Sequence, residues 1–543
     1  MNLSVAPRRI PAAVLAVASA AVVAIVPAVS GAGGPAVSAS PGVITGPYAR
    51  LLAASADLGP ARSGRVSLTA ALHRTSRPEQ LERWANARGL SVRWRDGERW
   101  ALVEGGPAQF SAAFGVAVHD YRIRRGPDAG RVFYASPQQP AVPSAARTDV
   151  AGMGRILGYL PSRVAVPPTP PLDVPDGGLL PNQLLAAYNA TPLSAQGFTG
   201  KGRTVVVFAF DGFNQSDMDS FADLFDLPRF VPQVLGGMPE QRNGEATMDL
   251  QMIHAVVPDA TLVLVNSRPT VEEGDGFVRL SQLMESVDER YPGAIWSFSV
   301  GWGCDRLFTA ADLLPVRAAL AAAVRNGTTA FVATGDLAGM ECRGGHNWSD
   351  PPSPDDVGVD AVGSIPEVTA VGGTRLSTDA RGQWLAEQSW YDVPLTQGSA
   401  GGASSLYHRP PWQSVDPAAG PPESRLVPDV AAVADPFTGV KFVFEGQLLV
   451  GGGTSQAAPV WAGLVAIING VLASVGEGPL GEANPLLYRV ARGSEIPGFR
   501  DIRLGGNAVA PGGRAGYDMV TGLGSPNVEN LMKAILLARS ARR

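Results

Sequence analysis

The chain has 543 residues, of which 45% are apolar and 17% are charged, so it can bury a large core and is not disordered as a whole. Its length leaves room for two or three domains. The formal net charge of −5, from 44 basic and 49 acidic residues, argues against a nucleic-acid-binding surface.

The first predicted element is a targeting signal over residues 1–30. Arg8 and Arg9 precede an alanine-rich apolar run that extends to Val29 and is followed by small residues. Prolines within this run favour a cleaved signal peptide over a permanent membrane anchor. We therefore expect a secreted protein, extracellular or associated with the cell envelope. We expect no later run that is long and apolar enough to span a bilayer.

A leader and a small domain follow the signal. Residues 31–63 are rich in glycine, alanine, serine and proline, which predicts an unstructured leader. Residues 64–163 are expected to form a ferredoxin-like α+β domain, because their pattern runs strand, helix, strand, strand, helix, strand. The last of these strands is predicted at 116–121. The proline-rich stretch 164–180 is typical of an extended, exposed linker and of a processing site.

The second domain, residues 181–543, has the pattern of an α/β fold. Short apolar strands are predicted at 204–210, 260–265, 294–299 and 328–333. Helical stretches separate them, notably at 243–255, 277–290 and 312–326. Continuous apolar strands that alternate with helices predict a parallel sheet covered on both faces, with functional groups at the carboxyl ends of its strands.

A glycine-rich turn at 451–453 leads into an apolar helix and places Ser455 near its N-terminus. The unpaired N–H groups and the helix dipole at that position suit a nucleophile whose intermediate carries an oxyanion. A serine that only caps the helix would explain the same pattern.

Three carboxyl groups in this domain are candidates for proton transfer. Glu245 and Asp249 are four residues apart in a predicted helix, which places both on one face, and repulsion raises the pKa of one of them. Asp336 directly follows an apolar strand. Helix-dipole complementation and a local turn contact are the structural alternatives. His254 falls on the opposite face of the helix and is expected to be a packed histidine.

The only two cysteines in the chain are Cys304 and Cys342. An oxidising compartment favours a single disulfide between them. Two separate buried thiols are the alternative, and the spacing of the two residues does not decide between them.

Four residues of the second domain resemble the catalytic set of the sedolisins, the serine-carboxyl peptidases that include kumamolisin-like enzymes and tripeptidyl peptidase I: Ser455, Glu245, Asp249 and Asp336. The resemblance extends over roughly residues 64–530. It includes the Gly-Thr-Ser-x-x-x-Pro motif at 453–459, the Glu-x-x-x-Asp pair and the Gly-Asp at a strand end. The leading domain is similar to the activation propeptide of that family.

The resemblance implies a subtilisin-like catalytic domain and a serine-type endopeptidase active at acid pH. Ser455 would attack the scissile carbonyl, Glu245 would take its proton, Asp249 would tune Glu245, and a protonated Asp336 would donate to the oxyanion. It also implies polypeptide substrates, a zymogen inhibited by its own propeptide, and a monomer. The substrate-binding residues it implies are Ser299, Val300, Gly301 and Gly335.

The resemblance further implies one structural calcium site near the C-terminus. Its residues in this sequence are Asp501, Ile502, Arg514, Gly516 and Asp518. Two carboxylates and several main-chain oxygens form an oxygen shell that suits Ca²⁺. Arg514 stands where a glycine is usual, but the ligand there would be a main-chain oxygen. An ordinary glycine-rich turn is the alternative.

The chain also departs from the family pattern at Ala209, where many relatives carry an acid, and at Val300, where an aromatic residue is common. These changes predict an altered pH profile. They also keep open a catalytically weak or inactive surface or binding protein that retains the fold. A third hypothesis is a neutral-pH, subtilisin-type enzyme that uses His254.

Overall fold

The computed structural model describes residues 42–62, 64–126, 128–162, 177–272, 274–343, 352–392, 397–510, 512 and 514–541. The predicted signal peptide and most of the predicted linker lie outside these residues. These described residues form one compact unit.

The N-terminal part of the described chain combines short helices with antiparallel strands. Its elements are α1 (Pro47–Ala54), β1 (Ser55–Pro60), β2 (Val66–Leu72), α2 (Glu79–Asn86), β3 (Ser91–Arg93), β4 (Trp100–Gly105), α3 (Pro107–Phe114), β5 (His119–Ile123), β6 (Val132–Ala135) and β7 (Val150–Met153).

Strands β3, β4, β2 and β7 form an antiparallel sheet in that order, which is the arrangement of a ferredoxin-like domain. The strand predicted at 116–121 is not the fourth strand of this sheet. Residues 119–123 instead pair with β1 and β6 in a separate three-stranded sheet, and β7 takes the fourth position. Part of the predicted leader is also structured, because α1 and β1 lie within it.

The C-terminal part alternates strands and helices through most of its length. Its elements up to the fifth strand of the main sheet are α4 (Gln183–Ala187), α5 (Thr191–Ser194), β8 (Thr204–Ala209), α6 (Gln215–Leu224), β9 (Gln233–Leu235), α7 (Glu245–Val256), β10 (Thr261–Asn266), α8 (Pro269–Glu272), α9 (Gly276–Arg290), β11 (Ile295–Phe298), α10 (Leu314–Arg325) and β12 (Thr329–Ala333). The rest are β13 (Thr369–Thr378), β14 (Trp384–Ser389), β15 (Tyr391–Asp392), β16 (Gln397–Gly398), β17 (Gly402–His408), β18 (Ser424–Val427), β19 (Val430–Val433), β20 (Lys441–Phe444), β21 (Gln447–Val450), α11 (Thr454–Ser474), α12 (Asn484–Gly493), β22 (Phe499–Arg500), β23 (Ser525–Pro526) and α13 (Val528–Ser540).

Within the described residues, the central sheet has eight strands. Seven follow the order β14, β13, β12, β11, β8, β10, β9, and β19 pairs with β13. All neighbours are parallel except β13 and β14. The predicted parallel α/β sheet is therefore confirmed, and its four predicted strands begin and end within one residue of the observed bounds.

Nearly every side chain of β8, β10, β11 and β12 is buried, as expected for strands that helices cover on both faces. Helix α11 packs in the core and is buried over almost its whole length. It is the one helix among the described residues that is long and apolar enough to cross a membrane. The expectation that no such run exists was therefore wrong. The run is apolar because it is a helix of the core.

The N-terminal and C-terminal parts share an apolar cluster. Tyr48 and Leu160 from the first part are buried with Phe277 and Trp302 from the second. Polar contacts at the edges of this interface include an ion pair of 2.7 Å between Arg50 and Asp356.

Cys304 and Cys342 form a disulfide. The bond joins the loop after β11 to the loop after β12, so it ties together two of the segments that follow the carboxyl ends of neighbouring strands.

Candidate active site

Two helices bring their N-termini to the same point of the molecule. Helix α7 begins at Glu245, and α11 begins at Thr454, one residue before Ser455. The helices run side by side because Gly463 of α11 has no side chain. A Cβ there would lie 2.9 Å from Cβ of Val256. Both helix dipoles therefore present their positive ends, and their unpaired N–H groups, to one site.

Asp336 is held against the turn that starts α11. Its Oδ1 accepts hydrogen bonds from the N–H of Thr454 at 2.8 Å and from the Thr454 hydroxyl at 2.9 Å. That hydroxyl in turn accepts the Gly335 N–H at 3.0 Å. Thr454 thus fixes the position of Asp336 relative to the helix start.

Gly453 separates the Asp336 carboxyl from the Ser455 hydroxyl. A Cβ at this glycine would lie 2.7 Å from Oδ2 of Asp336 and 2.9 Å from Oγ of Ser455, so both oxygens border one small space. Gly453 also has φ +85° and ψ 158°, a conformation that residues with a side chain rarely adopt. Glycine is therefore required here by both its backbone and its surroundings.

Glu245 and Asp249 complete the group on the α7 side. Their side chains are buried, as is the Ser455 hydroxyl. Oδ1 of Asp249 lies 2.9 Å from the Ser299 hydroxyl, which also lies 3.0 Å from the main-chain oxygen of Ser455. The single hydroxyl hydrogen of Ser299 can therefore be donated either to the Asp249 carboxylate or to the main-chain oxygen of Ser455.

Within the described residues, Oγ of Ser455, Oε1 of Glu245 and Oδ2 of Asp249 have no hydrogen-bond partner of good geometry. Ser455 nevertheless lies close enough to Glu245 to lower its pKa. Catalytic hydrogen bonds are often long without substrate, so this arrangement is compatible with proton transfer between the serine and the glutamate.

The electrostatics of the site favour shared protons. Burial raises the pKa of Glu245 well above its ordinary value, and the charges of Asp249, Asp211 and Asp336 raise it further. Burial also raises the pKa of Asp249, while the hydrogen bond from Ser299 opposes the rise. Glu245 and Asp249 are neighbouring carboxyls in a buried site, so they titrate as a pair. The pair therefore stays protonated to higher pH than free carboxylates do.

The structure therefore brings together all four residues that the sequence resemblance selected. It also contains two buried acids that sequence reasoning missed. Asp211, two residues beyond Ala209, accepts main-chain N–H groups from the start of α7. Glu341 is buried beside Gly335 and accepts the N–H of Leu337 at 2.8 Å, which supports the turn that follows Asp336.

The predicted substrate-binding residues have different surroundings. Ser299 is buried and contacts Asp249, and Val300 is buried in the apolar cluster shared by the two parts of the chain. Gly301 and Gly335 are half-buried. A substrate-binding role for these residues remains a prediction.

His254 is a packed histidine, as its position in the helix indicated. Its ring stacks on Phe230 with 3.7 Å between centroids, and its Nε2 lies 2.7 Å from the Pro228 carbonyl oxygen. Burial lowers the pKa of His254 to about 4. The predicted alternative in which His254 acts as the catalytic base is not favoured by these contacts.

The predicted calcium residues form one loop cluster. Oδ2 of Asp501 accepts the N–H of Gly516 at 3.1 Å, while Oδ1 is buried without a partner in the described chain. Asp518 is buried, and its pKa is raised by burial and by the charge of Asp501. Ile502 is buried and Arg514 is exposed. Two nearby carboxylates, one with an unpaired buried oxygen, fit the donor set of a Ca²⁺ site.

Comparisons with known proteins give relatives of one kind. The chain is 32% identical over 368 residues to kumamolisin of Bacillus sp. (strain MN-32), which covers 64% of this chain and 62% of that protein. It is 30% identical over 301 residues to sedolisin of Pseudomonas sp. (strain 101), covering 54% and 49%. Tripeptidyl-peptidase 1 of Dictyostelium discoideum is 28% identical over 358 residues, covering 62% and 55%. No protein-family model matches the chain.

Among solved structures, the chain is similar to Pseudomonas sedolisin, a serine-carboxyl proteinase complexed with two molecules of pseudo-iodotyrostatin. The TM-score is 0.56 at 25% identity, and the match covers 67% of this chain and 99% of that one. The chain spans between about half and three-fifths of the length of the three curated relatives named above.

Proposed function

We propose that this chain, which belongs to the sedolisin family, hydrolyses peptide bonds as a secreted serine-carboxyl endopeptidase of acid pH. The observation that carries the proposal is the small space bordered by the Ser455 hydroxyl and the Asp336 carboxyl, with Glu245 on the neighbouring helix start. A nucleophile, a base and an oxyanion donor around one point are what acyl transfer needs.

The reaction proceeds by transfer of the substrate acyl group to Ser455. The serine oxygen bonds to the scissile carbonyl carbon while Glu245 takes the hydroxyl proton, and the oxyanion accepts a hydrogen bond from protonated Asp336. Glu245 then returns the proton to the leaving nitrogen as the carbon–nitrogen bond breaks. Water, deprotonated by Glu245, then attacks the ester carbon, the carbon–oxygen bond to Ser455 breaks, and Glu245 returns the proton to the serine oxygen. Asp249 holds and tunes Glu245 throughout.

The acid pH range follows from two opposite requirements. Glu245 must be ionised to accept a proton, whereas Asp336 must be protonated to donate one. The raised pKa of Glu245 lifts the lower limit of the active range, and ionisation of Asp336 sets the upper limit. A bell-shaped pH profile is expected.

The N-terminal ferredoxin-like domain would be a propeptide that inhibits the peptidase until the linker is cut. It shares a buried apolar cluster with the catalytic domain. Described residues near the two ends of the linker support cleavage by the same site. Pro161 lies beside Gly303, which follows the predicted substrate-binding residue Gly301, and Gly178 lies beside Val450, which directly precedes the glycine-rich turn at 451–453.

A calcium ion would be held by the carboxylates of Asp501 and Asp518 with main-chain oxygens of Ile502, Arg514 and Gly516. It would stabilise the loop cluster and would take no part in the reaction. The negative charges of two close carboxylates, Asp501 and Asp518, are the physical reason to expect a cation there.

The decisive experiment compares the purified full chain with its Ser455→Ala and Glu245→Gln variants between pH 3 and 8. We expect the wild type to cut its own linker near pH 4, to hydrolyse a peptide library and to be labelled at Ser455 by a peptide aldehyde. Neither variant should process itself. Equal processing by Ser455→Ala, or a wild type that remains intact and unlabelled, would instead support a binding protein that only retains the fold.

A further inference from the structure

Asp211 is a fully enclosed acid that the proposed mechanism does not use. It follows β8, which ends at Ala209, and only 1% of its surface is exposed. The sequence pattern alone does not indicate a role for Asp211, because the acid that is common in relatives belongs at the position of Ala209. The structure supplies a carboxyl two residues farther along the chain.

The carboxyl of Asp211 holds the start of the helix that carries Glu245. Its Oδ2 accepts the N–H of Asn243 at 2.9 Å, and its Oδ1 accepts the N–H of Ala246 at 3.1 Å. Helix α7 is directly preceded by Gly244 in the left-handed region, at φ 93°, and that residue has no side chain to cap the helix. Asp211 therefore does from the loop after β8 what a capping residue does within a helix.

The same carboxyl also faces the catalytic acids as a charge. Its negative charge contributes to the raised pKa of both Glu245 and Asp249. Burial raises the pKa of Asp211 itself, and the hydrogen bonds from Asn243 and Ala246 oppose that rise, so its ionised form is supported by the helix start.

Two other charged groups, Asp336 and Arg242, lie near this site. Asp336 faces Glu245 from the loop after β12 and adds a smaller part of the rise in its pKa. Arg242 packs against Gly212, but its guanidinium binds main-chain oxygens of Pro239 and Gln241. In the described part of the chain, no ion pair joins it to Asp211.

We propose that Asp211 is a positioning residue for the Glu245–Asp249 pair, which it serves through its hydrogen bonds from Asn243, just before α7, and Ala246, in its first turn, and through its charge. The inference rests on the proposed function, since Glu245 must act as the base and Asp249 must modulate its pKa. Its consequence is that Asp211 helps to set the acid limit of the active pH range. Removing the charge would let Glu245 ionise at lower pH.

The test is the pH dependence of kcat/KM for the Asp211→Asn variant of the full chain, with a peptide substrate. The acid limb should move to lower pH by about one unit, the lower end of the effect of a neighbouring charge. kcat should fall as well, because asparagine can accept only one of the two N–H groups. Asp211→Ser, which also removes the charge and retains an acceptor for the helix start, replaces it if the first variant does not accumulate.

Asp217→Asn is the matched control. Asp217 is an equally buried acid that accepts two main-chain N–H groups, from Glu445 and Gly446, but it is not among the charges that raise the pKa of the catalytic pair. An unmoved acid limb in Asp211→Asn or Asp211→Ser, or an equal shift in Asp217→Asn, would overturn the inference. A wild type without peptidase activity would instead overturn the proposed function.

Discussion

At the scale of single residues, the geometry of the site depends on neighbouring residues that position the catalytic side chains through hydrogen bonds. Thr454 is the clearest case, because it joins Asp336 to the helix that carries Ser455 through both its N–H and its hydroxyl. The same hydroxyl accepts the N–H of Gly335. A side chain that makes two such contacts should affect the reaction although it does not touch the substrate.

We therefore expect Thr454→Val to lower kcat/KM by about tenfold or more, and Thr454→Ser to stay near wild type. Valine has the same shape but leaves the Gly335 N–H unpaired and removes one donor to Asp336, whereas serine keeps both contacts. Steady-state kinetics near the optimum pH measures both variants. Equal activity of Thr454→Val and Thr454→Ser would contradict a role for the hydroxyl.

The sequence could identify the residues of this site whose types are chemically distinctive. Ser455 follows a glycine-rich turn, the Glu245–Asp249 spacing places two acids on one helix face, and Asp336 ends an apolar strand. Asp211 could not be found in this way, because it acts through contacts with residues distant in sequence. Glu341 could not be found either, because it acts through a contact in a nearby turn. An isolated acid after a strand has the same local pattern whether it caps another helix or faces solvent.

At the scale of elements, the site depends on how closely α7 and α11 pack. Gly463 allows this approach, since a Cβ there would meet Cβ of Val256 at 2.9 Å and its Cγ1 at 3.1 Å. Gly470 lies two turns farther along α11. A Cβ at Gly470 would meet only Phe198, at an ordinary contact distance of 3.5 Å.

Gly463→Ala should lower the free energy of unfolding by about 1–3 kcal/mol, because the added methyl overpacks the helix interface. Gly470→Ala is the matched control and should be neutral or stabilising by up to about 1 kcal/mol, as alanine is the better helix former. Urea unfolding in a Ser455→Ala background, which prevents self-digestion, measures both. A Gly463→Ala variant as stable as Gly470→Ala would show that the helices have room to separate.

The candidate calcium loop permits a second test at this scale. Millimolar Ca²⁺ should raise the melting temperature of the Ser455→Ala chain, and a chelator should reverse the rise, because a ligand that binds only the folded state stabilises it. Asp501→Asn should remove the response, since it takes away the unpaired buried carboxylate oxygen. Glu529→Gln, a change at a half-buried residue of α13 that pairs with Lys533, should retain it. A wild-type response that persists in Asp501→Asn would place the ion elsewhere.

Elements could be predicted from the sequence where apolar periodicity is strong. The four buried strands of the central sheet follow directly from their apolar runs. The fourth strand of the N-terminal sheet could not be assigned correctly, because residues 119–123 and 150–153 are both short and strand-like, and only tertiary pairing decides which one joins β2. The helix at 47–54 was missed because its composition resembles a linker, while Tyr48 is buried by packing against residues far along the chain.

At the scale of the whole molecule, the buried carboxyls and the buried His254 have opposite effects on how stability changes with pH. Asp305 is fully buried, and burial raises its pKa to about 6. Its contribution to stability is complete below the ordinary carboxyl pKa and is lost as the pH rises to about 6. Glu245, Asp249 and Glu387, whose pKa values are also raised, act in the same direction.

His254 acts in the opposite direction. Its pKa is lowered to about 4, so its contribution is present above the ordinary histidine pKa and is lost as the pH falls from about 6.5 to 4. Asp305 and His254 can each change the free energy of unfolding by about 3 to 3.5 kcal/mol across their ranges, at about 1.4 kcal/mol per unit of pKa. Because the raised carboxyls outnumber the histidine, the protein should be most stable at acid pH.

This balance predicts opposite changes in two variants. Between pH 4 and 6.5, the stability of the Ser455→Ala chain should fall as the pH rises. Asp305→Asn should reduce that fall by up to about 3 kcal/mol, because the amide oxygen can still accept the N–H of Ser405 and no proton is gained or lost. His254→Gln should steepen the fall by a similar amount, since the opposing group is gone. Unfolding followed by circular dichroism at several pH values gives each slope. Parallel slopes in the parent and both variants would mean that neither group titrates differently in the folded and unfolded states.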